Sequence, residues 1–242
     1  MTSKPSATAR KKLLTVWPQK GGIGKSFVAT LLYDHLKDRG VPVQAFDLDH
    51  ANSTFRRYVA EAEFIDTDVD GDKLAVLDQL VHSLTDGDAR FVLADNRAAG
   101  GEKLERWLEE CDLVESQERL GFDLVFVTVL VDDKDSISQV ANLVETYGNR
   151  VRWLGTRNLR EGPRLPIFDE SATRKKLLAQ GAVEINVPCL AEITRNRLQL
   201  ANLTVSRGRT AEQLPVLDRS RCVRFHHKMA EEFRKAEALL FS

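Results

Sequence analysis

The 242-residue sequence predicts an α/β fold: a mostly parallel sheet with helices on both faces. Three observations predict it. Short apolar runs alternate with segments of helical spacing, the pattern of strands joined by crossover helices. One run, DLVFVTVLV (123–131), is apolar almost throughout, as a parallel strand covered on both faces must be. The first run ends in a glycine-rich turn, QKGGIGKS (19–26), that opens a helical pattern.

Taken in order, KLLTVW (12–17) is the first strand. A helix follows from Lys25 to Arg39, with Val28, Leu31, Leu32 and Leu36 on one face. His35 lies beside that face and reads as a core-edge histidine rather than a ligand. Gly40 stops the helix. VPVQAFDLD (41–49) is a strand running into two carboxylates, and 71–84 is helical. RFVLAD (90–95) is a strand ending in an aspartate, and 101–119 is one charged helical segment. After the 123–131 strand come a helix over 134–147, the strand VRWLG (151–155), a helix over 171–180 and the strand AVEINVP (182–188). The last helix spans about 218–240, with Phe225, Met229, Phe233, Ala236 and Leu240 on one face.

Residues 1–10 read as a flexible tail and 11–242 as a single domain. Net charge is -1, but it is unevenly spread. Residues 1–149 hold 17 basic and 26 acidic residues, and 150–242 hold 18 and 10. A basic second half suits either an acidic partner or an ordinary solvated surface. Cys111, Cys189 and Cys222 are too few and too scattered for a disulfide framework, which favours a reducing cytoplasm. No apolar run approaches the roughly 20 residues that span a bilayer. The last helix balances its charges, so it is expected to pack on the domain or a partner rather than on a membrane surface.

The turn carries the chemistry. Gly21, Gly22 and Gly24 let backbone amides converge on phosphate oxygens, and the following helix N-terminus adds partial positive charge. Ile23 and Phe27 belong to the same cradle. Lys25 would reach the β- and γ-phosphates, and the Ser26 hydroxyl would bind Mg²⁺. Asp47, Asp49 and Asp95 end successive strands, where ligands of open α/β sheets bind. Such carboxylates suit the water shell of Mg²⁺ or the orienting of an attacking water. The usual loop pattern places a glycine at position 19, but this sequence has Gln19 followed by Lys20.

QKGGIGKS resembles the deviant Walker A loop, K-G-G-x-G-K-[ST], of the ParA/MinD branch of P-loop ATPases. FDLDHANSTF resembles that branch's D-x-D-P-Q-x-N-x-T segment, and VLADNRAAGG sits where its switch aspartate occurs. Within the branch, the match is most like the TraL-type ATPases of conjugative plasmids. The resemblance implies ATP and Mg²⁺ as cofactors and an ATP-dependent homodimer. It implies that Lys20 crosses to the partner's phosphates and acts catalytically with Lys25 and Asp49. Ser26, Asp47 and Asp95 would serve the metal. Base contacts would come from Thr156 to Asn158 and from the Val187–Pro188 region. His50-Ala51 and Asn96-Arg97 depart from the family pattern, with Arg97 either a second cation at the dimer face or a surface arginine.

The function so implied is a slow switch ATPase in DNA partition, positioning or conjugative transfer. Non-specific DNA and a protein of a partition or transfer complex are candidate partners. Two alternatives stand beside it. One is an ATP-holding scaffold with little hydrolysis. The other is a metabolic ligase, for which the sequence has no dedicated substrate motif. Cys222, His226 and His227 on one helix are weak grounds for a metal.

Overall fold

The computed structural model describes residues 10–17, 20–50, 52–67, 75–98 and 100–242. Gln19, Ala51 and nearly all of the expected 1–10 tail lie outside the described residues. Among the described residues, seven parallel strands form one sheet: β1 (Lys11–Val16), β2 (Val43–Asp47), β3 (Glu63–Phe64), β4 (Phe91–Asp95), β5 (Phe122–Leu130), β6 (Arg152–Asn158) and β7 (Val183–Val187). Their order is β3-β2-β4-β1-β5-β6-β7. β1 is therefore central, and its carboxyl end opens between β4 and β5, where this fold class binds ligands.

Side chains alternate across β1. Leu14 and Val16 enter one core, together with Leu93, Val125 and Val127. Leu13 enters the other, with Phe46, Val92, Leu124 and Phe126. The first core is covered by α1 (Lys25–Asp38), α2 (Thr54–Tyr58), α9 (Glu192–Leu200), α10 (Val205–Gly208), α11 (Val216–Lys235) and α12 (Glu237–Phe241). The second is covered by α3 (Asp78–Thr85), α4 (Gly101–Glu110), α5 (Leu113–Leu120), α6 (Lys134–Tyr147), α7 (Pro166–Glu170) and α8 (Ala172–Ala179).

Val28, Leu31, Leu32 and Leu36 are all buried, as their spacing predicts, and so are Phe225, Met229, Phe233, Ala236 and Leu240. The expected helix over 101–119 is two helices, because Asp112 takes a left-handed φ of 48° between them. The expected last helix also breaks, at Ala236. On the same side of that helix, Glu232 accepts the Asn186 N–H of the edge strand β7 at 2.8 Å. β6 runs three residues past its expected end and delivers Asn158 to the site. Thr156, expected near the base, is instead inside the sheet: it is fully buried and its hydroxyl donates to the Thr128 carbonyl at 3.0 Å.

Candidate active site

The loop after β1 is shaped by two glycines in left-handed conformations, Gly22 at φ 78° and Gly24 at φ 101°. Gly24 is required twice over. A Cβ there would stand 2.7 Å from Asn158 Nδ2, besides straining the backbone. Asn158 Nδ2 donates to the Ile23 carbonyl at 2.8 Å, and Arg160 Nη1 donates to the Gly22 carbonyl at 3.3 Å. Side chains from the end of β6 thus hold the loop in place. The N-cap of α1 is Gly24, which has no side chain to cap the helix, and a helix N-terminus of this kind suits an anion.

Lys25 is buried and donates to the Lys20 carbonyl at 3.1 Å. Burial lowers its pKa, while the carboxylates of Asp95 and Asp49 pull it back up. Asp95 sits behind the loop at the end of β4. Burial pushes its carboxyl up to about 7, against the Ser26 hydroxyl that donates to it and the nearby Lys25 charge. Its Oδ1 is buried and, among the described residues, has no hydrogen-bond partner. An orphaned carboxylate oxygen beside a serine hydroxyl is a hard-oxygen donor set, so the residues present fit Mg²⁺.

Asp47 is opposite Asp95 in the parallel register and fully buried. Its Oδ1 accepts the Asp49 N–H at 3.0 Å, and its Oδ2 accepts the Arg56 N–H at 2.8 Å. In this arrangement Asp47 shapes the loop that carries Asp49. The Asp49 carboxylate accepts from the Asn52 N–H at 3.3 Å and the Asn52 side chain at 3.4 Å.

A cavity of about 480 Å³ is lined by the loop glycines, Lys25, Ser26, Asp49 and Asn96, while Asp47 and Asp95 are buried and do not line it. A smaller recess joins Gly24, Phe27, Asn158 and Pro188; of the residues expected near the base, Asn158 and Pro188 line it, whereas Thr156 and Val187 are buried in the sheet. Arg160 and Arg195 line both spaces. Neither arginine belongs to a sequence motif; only the position of Arg160, two residues beyond Asn158, hints at its place. A cavity of about 530 Å³ between α1 and α11 is slightly larger, but it lacks a phosphate cradle. Its polar groups pair internally: Asp34 accepts from the Thr204 hydroxyl and the Ser206 N–H, and His226 Nε2 lies 2.7 Å from Asp38.

Lys20 stands apart. Its ammonium is half-exposed, 3.0 Å from Asp133 and 3.8 Å from Asp135 at the start of α6. The Asp133 hydrogen bond raises the Lys20 pKa. His50 and Arg97 touch, with Arg97 Nη1 3.1 Å from His50 Nδ1. Cys222 is fully buried in the core, and His226 Nε2 pairs with Asp38; no metal-holding group of three His, Cys, Asp or Glu occurs among the described residues.

Comparison with known proteins agrees with this geometry. The chain is 25% identical to Protein TraL of Escherichia coli, over 94% of this chain and 99% of that one. Its fold is similar to the MinD cell division protein of Aquifex aeolicus at 12% identity and a TM-score of 0.50, covering 92% and 97% of the two chains. It is also similar to the signal recognition particle receptor FtsY of Elizabethkingia anophelis in complex with GDP, at 16% identity and a TM-score of 0.50. That match covers 77% of this chain and 59% of FtsY, so the chain spans only about six tenths of that relative. A family model, the CobQ/CobB/MinD/ParA nucleotide binding domain, matches residues 14–236. The chain belongs to that family of nucleotide-binding domains.

Proposed function

We propose that this protein is an ATP-dependent, dimeric switch ATPase serving DNA positioning or conjugative transfer. The observation that carries the reading is the division of labour between two lysines. Lys25 is buried near the carboxylates of Asp95 and Asp49, whereas Lys20 points along the surface to Asp133. A cation placed outside its own cavity is available to a second subunit. When bound, ATP supplies the phosphoryl group and Mg²⁺ neutralises charge on its oxygens. The loop amides and Lys25 hold the phosphates, Ser26 and Asp95 offer oxygens to the metal, and Asp49 orients a water. Lys20 from the other subunit adds positive charge where the transition state needs it. Turnover then depends on dimerisation.

A second reading, a scaffold that holds ATP and hardly hydrolyses it, draws on the Asn52 bonds to Asp49. These bonds occupy part of the acceptor capacity with which Asp49 would hold a water.

Light scattering of wild type and Asp49→Ala, with ATP–Mg²⁺, with ADP and without nucleotide, tests the proposal. The expected result is a doubled mass with ATP only, clearest in Asp49→Ala and lost when Lys20→Ala is added. A mass indifferent to nucleotide removes the role of Lys20 in trans.

A further inference from the structure

The two departures from the family pattern meet in space. β2 and β4 are parallel neighbours, so the loops leaving Asp47 and Asp95 run side by side above the cavity. The Leu48 N–H donates to the Asp95 carbonyl at 2.9 Å, where they start. Beyond that point the loops differ. The loop after β4 is pinned, because Asn96 Nδ2 donates to the Thr15 hydroxyl at 2.7 Å and to the Val16 carbonyl at 2.9 Å. That ties it to the strand feeding the phosphate loop. The loop after β2 is closed largely on itself, through Asp47, Asp49, Asn52 and Ser53. Arg97 Nη1, 3.1 Å from His50 Nδ1, joins the self-closed loop to the pinned one. Arginine has only donors, so His50 Nδ1 accepts and the imidazole proton sits on Nε2.

We propose that His50 and Arg97 form a clasp that positions Asp49 over the phosphate loop. Both are positioning residues acting through Asp49, the neighbour of His50 in the chain. The inference rests on the ATPase reading above. It goes beyond that reading by giving the two non-family positions a single shared role. The arginine replaces the rigidity that the family's proline supplies after the second aspartate. Small displacements of a water-orienting carboxylate are costly in rate. Ground-state nucleotide binding, which depends on the loop amides and Lys25, is left alone.

The test uses the full chain and four variants: His50→Ala, Arg97→Ala, the double variant and His50→Gln. Turnover of ATP, affinity for a fluorescent ATP analogue and melting temperature are read on each. The expected result is a loss in kcat on the order of tenfold in each alanine variant. Analogue affinity should stay within about twofold, since the clasp does not touch the phosphates. The double variant should be no worse than either single one. His50→Gln should recover most of the rate, because its amide oxygen can accept from Arg97. Additive losses, or a loss in Arg97→Ala with His50→Ala unimpaired, would overturn the clasp and give Arg97 a direct contact. Imidazole ¹⁵N spectra separate the two layers. His50 Nδ1 should resonate as an acceptor and shift in Arg97→Ala. An unchanged resonance ends the clasp alone, whereas a wild type without turnover ends the ATPase reading and the clasp's role with it.

Discussion

At the scale of single residues, α1 carries both candidate site side chains and structural ones within its 14 residues. His35 is one of the structural ones. It stacks on Phe233 with ring centroids 4.3 Å apart, and its Nε2 is buried with no partner among the described residues. Burial lowers its pKa from 6.5 to about 4, helped by the nearby Arg39 charge. The folded protein therefore binds fewer protons than the unfolded chain between those values. Stability is expected to fall as pH drops through that window, by on the order of 3 kcal/mol at full extent. Melting temperature against pH for wild type and His35→Phe checks this: the acid-side slope should flatten in the variant. Gly24→Ala gives a second expectation. Its φ and the 2.7 Å approach to Asn158 leave no room for a Cβ, so the loop must shift. Isothermal titration should show nucleotide affinity reduced at least tenfold, with stability lowered by about 1–3 kcal/mol.

At the scale of elements, the sheet is closed at its other end by a buried ion pair. Lys12 on β1 is fully buried, 2.5 Å from Asp123 on β5, and Arg10 and Arg152 also reach that carboxylate. Asp123→Ala would leave the ammonium without compensation inside the sheet. Denaturant unfolding is expected to show a loss of about 3–5 kcal/mol. The pair sits at the amino ends of the strands, far along β1 from the phosphate loop, so nucleotide affinity should change little. Near the site, the buried Asp218 of α11 accepts from Thr194 and Arg197 of α9 and from Arg221 of its own helix. These bonds hold α9, which carries Arg195, against the domain. Its charged, short pattern gave no periodic signal, and neither did the five-residue α2 and α7. A helix of one turn or two is too short for apolar spacing to show.

At the scale of the whole molecule, the charge imbalance between the two halves of the chain does not survive intact on the surface. Arg157 and Arg174 pair with Asp169 and Glu184, Arg197 and Arg221 with Asp218, Arg207 with Glu61, and Arg209 with Asp38. Among the described residues, Arg195, Arg224 and Lys228 have no carboxylate partner. Arg224 and Lys228 flank the chain over Pro188 to Ala191, beside the recess lined by Asn158 and Pro188. If DNA is the partner, its phosphates should meet these three. Binding measured by anisotropy would then weaken with salt, with the log–log slope falling by about 1 for each cation removed. A slope unmoved by Arg224→Ala and Lys228→Ala would direct the search to protein partners. Among the described residues, no helix is long and apolar enough to cross a membrane.

The sequence by itself determined the fold class, most of the major strands and helices, and the core faces of α1 and α11. These follow from local periodicity, which a strand or helix carries within its own residues. It also determined the phosphate loop and the aspartates that end β2 and β4, because backbone geometry ties such a turn to glycines and a lysine at set spacing. Only the tertiary structure decided what those residues touch. It assigned Asp47 to the backbone of its own loop, extended β6 to Asn158 and buried Thr156. It also brought Arg160 and Arg195 to the cavity. Lys20 meets Asp133 across 113 positions and Arg97 meets His50 across 47. Sheet order sets such pairings: strands distant in the chain lie side by side, so their loops share one end of the sheet.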